Sequence, residues 1–302
     1  MTQNTEETDF PAMLGENLWV LGNYYFNLYL VRGSRSAALI EVGISAITDT
    51  VISQLESLDI SPEYLVVTHP HSDHLTGLEG LRERFPSGVS VFGQGAKEFA
   101  THPKALIAMT KEDRHMAKML SEKGISPGRS PVEGFRFPDE HIVVRDKHEI
   151  DLGGVVLRCV RVKGHSPGNI IVHISDSNAL ILSDSMGFHF PGRYFLPLFF
   201  TSFSDHMATL DYMESLRPAI LGLGHQGPLT GQNAEKAFEA SREASLNLHS
   251  SVTHDLRDRD EIAEDIFNRF YKDEFRLYSR KNIGNCARLL VRRCLETPDF
   301  QI

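Results

Sequence analysis

Six residues, His69-Pro70-His71-Ser72-Asp73-His74, hold three imidazoles and one carboxylate directly after the apolar run Tyr64-Leu65-Val66-Val67-Thr68. The run is β-branched and bounded by polar residues, so it reads as a buried strand. Donors crowded at the end of such a strand require a fold in which a rigid sheet carries its strand ends to an open site. Imidazole and carboxylate together suit zinc, iron or manganese. The competing reading is a polar loop whose histidines cap backbone groups. Three His and an Asp within six residues argue against it.

The same grammar recurs three times downstream. Residues 155–162 alternate in strand fashion and stop at Gly164-His165-Ser166-Pro167-Gly168. The apolar run 179–182 ends at Ser183-Asp184-Ser185, and residues 219–223 lead into Gly224-His225-Gln226-Gly227-Pro228. Each segment delivers one His or Asp to the start of a loop. A single His after a strand is more often structural than ligating, but three such positions beside the first cluster reverse that balance. Five His and two Asp suffice for two cations sharing one carboxylate. Gly164, Gly168, Gly224 and Gly227 offer the positive φ that tight turns need to aim the histidines.

Taken in order, THPHSDH, GHSPG, LSDS and GHQGP resemble the motifs of the metallo-β-lactamase superfamily, and within it the glyoxalase II-like hydrolases. The resemblance implies an α/β fold, the αββα sandwich of that superfamily, here with a helical insertion and C-terminal helices. It further implies that His69, His71 and His165 hold a first metal, that Asp73, His74 and His225 hold a second, and that Asp184 bridges both. Asp73 and Asp184 would also orient the nucleophile. Two positions depart from the pattern. Glu41-Val42-Gly43 stands where the superfamily often has Asp, and Asn169 stands where the glyoxalase II pattern often has His. Both would touch ligands or substrate rather than metal. The motifs specify the fold and the metal site far more sharply than the substrate.

The rest of the chain divides around these motifs. Strand-like segments at 18–21, 27–31, 37–42 and 89–92 alternate with helical patterns at 46–58 and 75–85, as an α/β layered domain requires. Residues 105–123 carry Leu106, Met109, Met116, Met119 and Leu120 at helical spacing, within an insertion spanning about 96–146. This insertion reads either as a surface elaboration or as a wall over the metal site. Ser204-Asp205 can cap a helix running to about residue 217. Three further helices, at 233–250, 260–270 and 283–296, follow the last motif. The expected organisation is a catalytic domain over 1–232 and a helical extension over 233–302 packed on it. This layout resembles the di-iron thioesterase of alkylquinolone signalling.

Phe188, His189, Phe195 and Phe199 lie in an aromatic stretch just beyond Asp184 and are expected to line an apolar pocket, with plain core packing as the alternative. A pocket of that kind selects an aliphatic or aromatic acyl group, since apolar burial contributes ~25 cal/mol per Å². The expected activity is hydrolysis of a small-molecule thioester, lactone or similar acyl substrate by a hydroxide bridging two divalent transition-metal ions (zinc, iron or manganese). Iron-dependent persulfide oxidation on the same scaffold is one alternative, and a signalling or partner-binding role with a marginal active site is another. A homodimer is compatible with this picture.

Thirty-one Lys and Arg against 40 Asp and Glu leave a net charge of −9, which disfavours a nucleic-acid partner. No apolar stretch approaches the ~20 residues of a membrane span. The first nine residues are polar and acidic, unlike a signal peptide. Cys159, Cys286 and Cys294 lack metal-type spacing and are odd in number, which suits a reducing cytoplasm. Cys159, inside a strand pattern, is expected in the core.

Overall fold

Several strand segments of this chain are apolar at nearly every position rather than at alternate ones, so their sheet must be covered on both faces. The computed structural model, which describes residues 9–298 and 300, meets that demand with two sheets packed face to face and helices over the outer faces. The N-terminal stretch read above as polar and acidic lies, up to residue 8, outside the described residues. The first sheet runs, in spatial order, β1 (Ala12–Gly15), β2 (Leu18–Gly22), β3 (Asn27–Arg32), β4 (Ala37–Ile40), β5 (Tyr64–Val67), β6 (Val89–Gly93) and β7 (Ile142–Val144). Its first four strands form an antiparallel meander, and β4 to β7 are parallel.

The second sheet begins with a meander of β8 (Lys147–Asp151), β9 (Val156–Arg161), β10 (Ile170–Ile174) and β11 (Ala179–Ile181). A separate hairpin, β12 (Phe188–Phe190) with β13 (Tyr194–Leu196), interrupts the chain before β14 (Ile220–Gly222) and β15 (Leu229–Thr230) complete that sheet beside β11. Strand alternation divides the core in two. Leu18, Val20, Tyr29, Val31, Ile40 and Val66 meet Leu157, Cys159, Val172 and Ile181 between the sheets. The intervening Leu21, Leu28, Leu30, Leu39 and Leu65 join the helix layer with Val51 and Leu55 of α1 (Thr48–Ser57) and Leu81 of α2 (Leu78–Arg84). The architecture is therefore the αββα sandwich.

The insertion between β6 and β7 contains α3 (Ala96–Ala100) and α4 (Pro103–Glu122). α5 (Phe203–Ser215) lies between β13 and β14 and is capped by Ser202, whose hydroxyl accepts from Asp205 N at 3.1 Å. The cap thus sits two residues before the Ser204-Asp205 pair expected to supply it. Three helices end the chain: α6 (Gln232–Thr253), α7 (Arg259–Phe270) and α8 (Arg280–Leu295). Among the described residues, no helix is long and apolar enough to cross a membrane.

One turn of α4 ties three parts of the molecule together. The fully buried Asp113 carboxylate accepts from Ser45 N (3.1 Å), Ser45 Oγ (2.6 Å), Thr76 Oγ1 (2.6 Å) and Val132 N (2.9 Å). Thr76 directly follows the short 3-10 turn Ser72–His74 and Leu75, so this carboxylate holds the loop of the first motif. Its neighbour Glu112 accepts from Ser279 N at 3.1 Å and from the Ser279 hydroxyl, at the start of α8. Replacing Asp113 by Ala strands the Ser45 amide and hydroxyl and the Val132 amide in the interior, where each unsatisfied group costs about 1–3 kcal/mol, while the Thr76 hydroxyl keeps Ser72 O at 2.8 Å. Asp113→Ala should therefore lower stability by at least ~3 kcal/mol, read as a reduced denaturant midpoint. Asp113→Asn keeps one carbonyl acceptor and should lose less.

Candidate metal centre

β5, β9, β11 and β14 each end one to three residues before a motif, and their ends converge. Holding side chains there strains the backbone. Glu41 after β4 (φ 72°), Ser183 before Asp184 (φ 50°) and Gln226 after His225 (φ 58°) all adopt positive φ without being glycine, a conformation that functional sites tolerate because the surrounding packing enforces it. Gly164 (φ 108°) is required twice over, since a Cβ there would stand 2.5 Å from His206 Cα. Gly224 serves differently from the expectation. Its φ is not positive, but a Cβ would lie 2.7 Å from the His74 ring.

Seven side chains from the four motifs come together in two groups. His69, His71 and His165 form one, and Asp73, His74, Asp184 and His225 form the other. Protein acceptors set which ring nitrogen faces the centre. His165 Nδ1–H donates to Leu198 O (2.7 Å), and His225 Nδ1–H donates to Tyr25 O (2.6 Å). His74 Nδ1–H donates to Glu41 Oε2 (3.1 Å), and His69 Nδ1–H donates to Thr68 Oγ1 (3.1 Å), whose own proton goes to Glu41 Oε1. Four rings therefore present Nε2 lone pairs. His71 instead turns Nδ1 inward, 3.2 Å from His165 Nε2. Asp184 Oδ2 lies 4.0 Å from His69 Nε2, 3.9 Å from His165 Nε2 and 3.6 Å from His74 Nε2. Its Oδ1 is 3.6 Å from His225 Nε2. Asp184 thus stands between the two groups.

This arrangement fits a cation. The Nε2 atom of His69 is buried with no hydrogen-bond partner, an orphaning that interiors avoid unless something electrophilic is bound, and His74 Nε2 has only the carboxylates of Asp73 (3.3 Å) and Asp184 (3.6 Å) before it. Charge divides between the groups in the same sense. Burial and the neighbouring imidazoles hold His69 well below its usual pKa, burial and His165 lower His71 to about 3, and burial lowers His165. These three are neutral donors. Burial also opposes charging His74 and His225, but the Asp73 and Asp184 carboxylates outweigh it and raise both, with Glu41 adding to His74. Burial is likewise overcome at the acids: His74 and His225 keep Asp73 far below the usual carboxylate range and bring Asp184 to about 2. The second group favours positive charge, which protons on His74 and His225 supply here and a bound metal ion would supply in their place.

The centre opens onto a cavity of about 390 Å³. α4 contributes Ala105, Ala108, Met109 and Glu112; α8 contributes Asn282, Ile283, Asn285, Cys286, Leu289 and Arg293. Of the four aromatic-stretch residues expected there, only Phe188 lines it. In the β12–β13 hairpin, His189 pairs with Phe195 on the face opposite Phe188, with ring centroids 4.8 Å apart. Phe195 lies instead in a separate groove beside Ala240 and Leu248 of α6. Phe199 is fully buried against Phe203 and His206. The aromatic rings that do face the site are Phe99, Phe200 and Phe275, with Phe200 5.4 Å from the His165 ring. The sequence reading also missed Tyr278, whose hydroxyl donates to Asp73 Oδ2 at 2.9 Å. It carries no motif and lies 53 residues beyond His225.

Glu41 is the departure from the motif pattern that the geometry explains, because one carboxylate accepts from both the His74 ring and the Thr68 hydroxyl. The two donors meet different carboxylate oxygens, so a glutamine would set its NH2 group against one of them. Glu41→Gln should weaken metal affinity about 10- to 100-fold, measured by competition with a chromogenic chelator, while the protein stays folded.

The profile of the metallo-β-lactamase superfamily matches residues 23–225. The chain is 29% identical over 227 residues to the metallo-β-lactamase fold-containing protein ST1585 of Sulfurisphaera tokodaii, covering 73% of this chain and 81% of that one. It is 26% identical over 136 residues to the hydroxyacylglutathione hydrolase GloC of Haemophilus influenzae, covering 45% and 54%. Among solved structures, the metallo-β-lactamase family protein TTHA1429 of Thermus thermophilus superposes with a TM-score of 0.64 at 17% identity, covering 90% of this chain and 93% of that one. The superfamily consists mostly of metal-dependent hydrolases whose members bind divalent metals. With more than half of its length matched and a convergent His/Asp cluster at the motif positions, this chain belongs to the metallo-β-lactamase superfamily.

Proposed function

We propose that this protein hydrolyses a thioester, lactone or related acyl compound with an apolar acyl part, using two divalent transition-metal ions. The observation that carries this reading is the opening of the seven-residue His/Asp cluster onto one largely apolar cavity. Its volume of about 390 Å³ suits a small molecule. Relatives named hydroxyacylglutathione hydrolase support the acyl class. His69, His71 and His165 would hold one ion, Asp73, His74 and His225 the other, and Asp184 would serve both. Bound there, the ions supply Lewis acidity that brings the pKa of water from ~15.7 toward neutrality. Zinc, iron and manganese all suit this donor set.

The chain's own residues do the remaining work. Asp73 and Asp184, kept ionised by the surrounding histidines, can each accept a hydrogen bond from the attacking water and fix its direction. Glu41 and Thr68 prevent the His74 and His69 rings from turning. Phe99, Phe188, Phe200 and Phe275 exclude bulk water and cover the acyl group.

Chelation, His71→Ala and Asp184→Ala should each abolish turnover, and Asp184→Ala should empty both metal positions together as read by elemental analysis. Cys159→Ser, set between the sheets, should stay active, and hydrolysis in labelled water should place solvent oxygen in the released acid. Fully metallated protein that cleaves no ester, thioester or lactone across a broad panel, but oxidises a thiol persulfide with oxygen uptake, would sink the hydrolase reading. Pocket selectivity has its own check. Phe200→Ala should weaken an aromatic thioester by ~1.5–3 kcal/mol more than an acetyl thioester. Phe199→Ala, in the core, should lower stability and spare this selectivity. Equal losses on both thioesters in Phe200→Ala would remove Phe200 from the substrate site.

A further inference from the structure

The family match ends at His225, yet a side chain far beyond it reaches the metal centre. Tyr278 follows the 3-10 turn Asp273–Leu277 and immediately precedes Ser279, the N-cap of α8. Its hydroxyl donates to Asp73 Oδ2 (2.9 Å) and lies 3.3 Å from His225 Nε2. Phe188 and Phe275 meet its ring edge-on, at centroid distances of 6.5 and 5.5 Å. The backbone beside it is pinned from α4, because Glu112 accepts from both the amide and the hydroxyl of Ser279. Among the described residues, Tyr278 is the one hydroxyl lining the cavity that contacts two side chains of the metal cluster.

The buried Tyr29, packed between the sheets, satisfies its hydroxyl on a backbone carbonyl, Leu223 O at 2.7 Å. Tyr278, buried at the cavity wall, instead spends its proton on a carboxylate of the cluster. Rotation about the C–O bond can release that proton from Asp73 without moving the ring.

We infer that Tyr278 is a catalytic residue that donates a hydrogen bond to the carbonyl oxygen of a bound ester or thioester as negative charge develops there; this rests on the hydrolase reading above. The water oxygen bonds to the carbonyl carbon, and the C=O pair moves onto the oxygen facing Tyr278. That pair returns as the carbon–oxygen or carbon–sulfur bond to the leaving group breaks. The leaving group departs with the electron pair and takes up the proton that water releases, giving acid plus alcohol or thiol. The phenol keeps its proton throughout.

Tyr278→Phe removes one oxygen and tests this directly on metal-loaded protein. For S-benzoyl-N-acetylcysteamine, kcat should fall roughly 10²-fold, with KM within about three-fold and with metal content and melting temperature unchanged. Methyl phenylphosphonate, whose tetrahedral anion resembles the attacked carbonyl, should bind more weakly to the variant by a similar factor in calorimetry. A kcat within three-fold of wild type together with equal phosphonate affinity would overturn the assignment. If Tyr278→Phe loses metal, Ser279→Ala decides, because it keeps the phenol but loosens its backbone. Fully metallated Ser279→Ala should still lose kcat and phosphonate affinity, and wild-type values would overturn the proposal. The phosphonate measurement needs no turnover. Should wild-type protein hydrolyse nothing, phosphonate binding that depends on the Tyr278 hydroxyl would preserve its donor role while the hydrolase reading fails, and binding independent of it would overturn both.

Discussion

Inward-facing nitrogen lone pairs and two carboxylates, held within a few ångströms of one another, repel unless positive charge lies between them. The rest of the site depends on managing that repulsion. His74 and His225 are driven toward the charged form by Asp73 and Asp184, whereas His69, His71 and His165 are driven away from it by burial and by neighbouring imidazoles, His74 among them. Without a cation, the centre can relieve the strain only by holding protons on the Asp-rich side. The Nδ1 acceptors on Glu41, Thr68, Tyr25 and Leu198 stop the rings from turning away to other partners. Positive-φ residues flanking the motifs are a further cost of that arrangement, borne by the packed sandwich beneath.

The two sheets and the helices divide the labour. Strand ends from both sheets supply every candidate ligand, so their positions inherit the rigidity of the inter-sheet core around Tyr29, Val66, Leu157 and Val172. The cavity walls come mainly from α4, α8 and the segment after Asp184. Those two systems are coupled through adjacent residues of α4. Asp113 holds the loop of the first motif, and Glu112 holds the start of α8. A shift of that single helical turn would move ligands and cavity wall together.

What could be read from the sequence follows the same division. His69, His71, Asp73, His74, His165, Asp184 and His225 were legible because each stands just after a strand-like run, a local pattern that sequence periodicity reports well. Glu41 was visible only as a departure from an expected Asp, and its double acceptor role required coordinates. Phe188, His189, Phe195 and Phe199 of the aromatic stretch were expected to line a pocket, with core packing as the alternative, and the structure divides them between the two. The turn at residues 191–193 makes the stretch a hairpin, so alternation sends His189 and Phe195 away from Phe188. Beyond the hairpin, Leu198 and Phe200 face the cavity while the intervening Phe199 enters the core. Tyr278 was not legible at all, because nothing local marks a tyrosine before a helix cap as a neighbour of Asp73, 205 residues away.

That asymmetry bears on why membership of this superfamily leaves substrate open. The matched span, 23–225, contains all seven ligand candidates, but α8 and Tyr278 lie beyond it. Chains that share the motifs can therefore share the electrophilic centre while differing in most of the surface a substrate touches. Here the cavity wall is apolar around the rings of Phe99, Phe188, Phe200 and Phe275, with Glu112, Tyr278, Asn282, Asn285 and Arg293 among its polar members. Much of the wall of this cavity belongs to helices that the motifs do not specify. Selectivity should vary among relatives faster than the metal chemistry, because a change in α8 alters the cavity without disturbing the strand ends that carry the ligands.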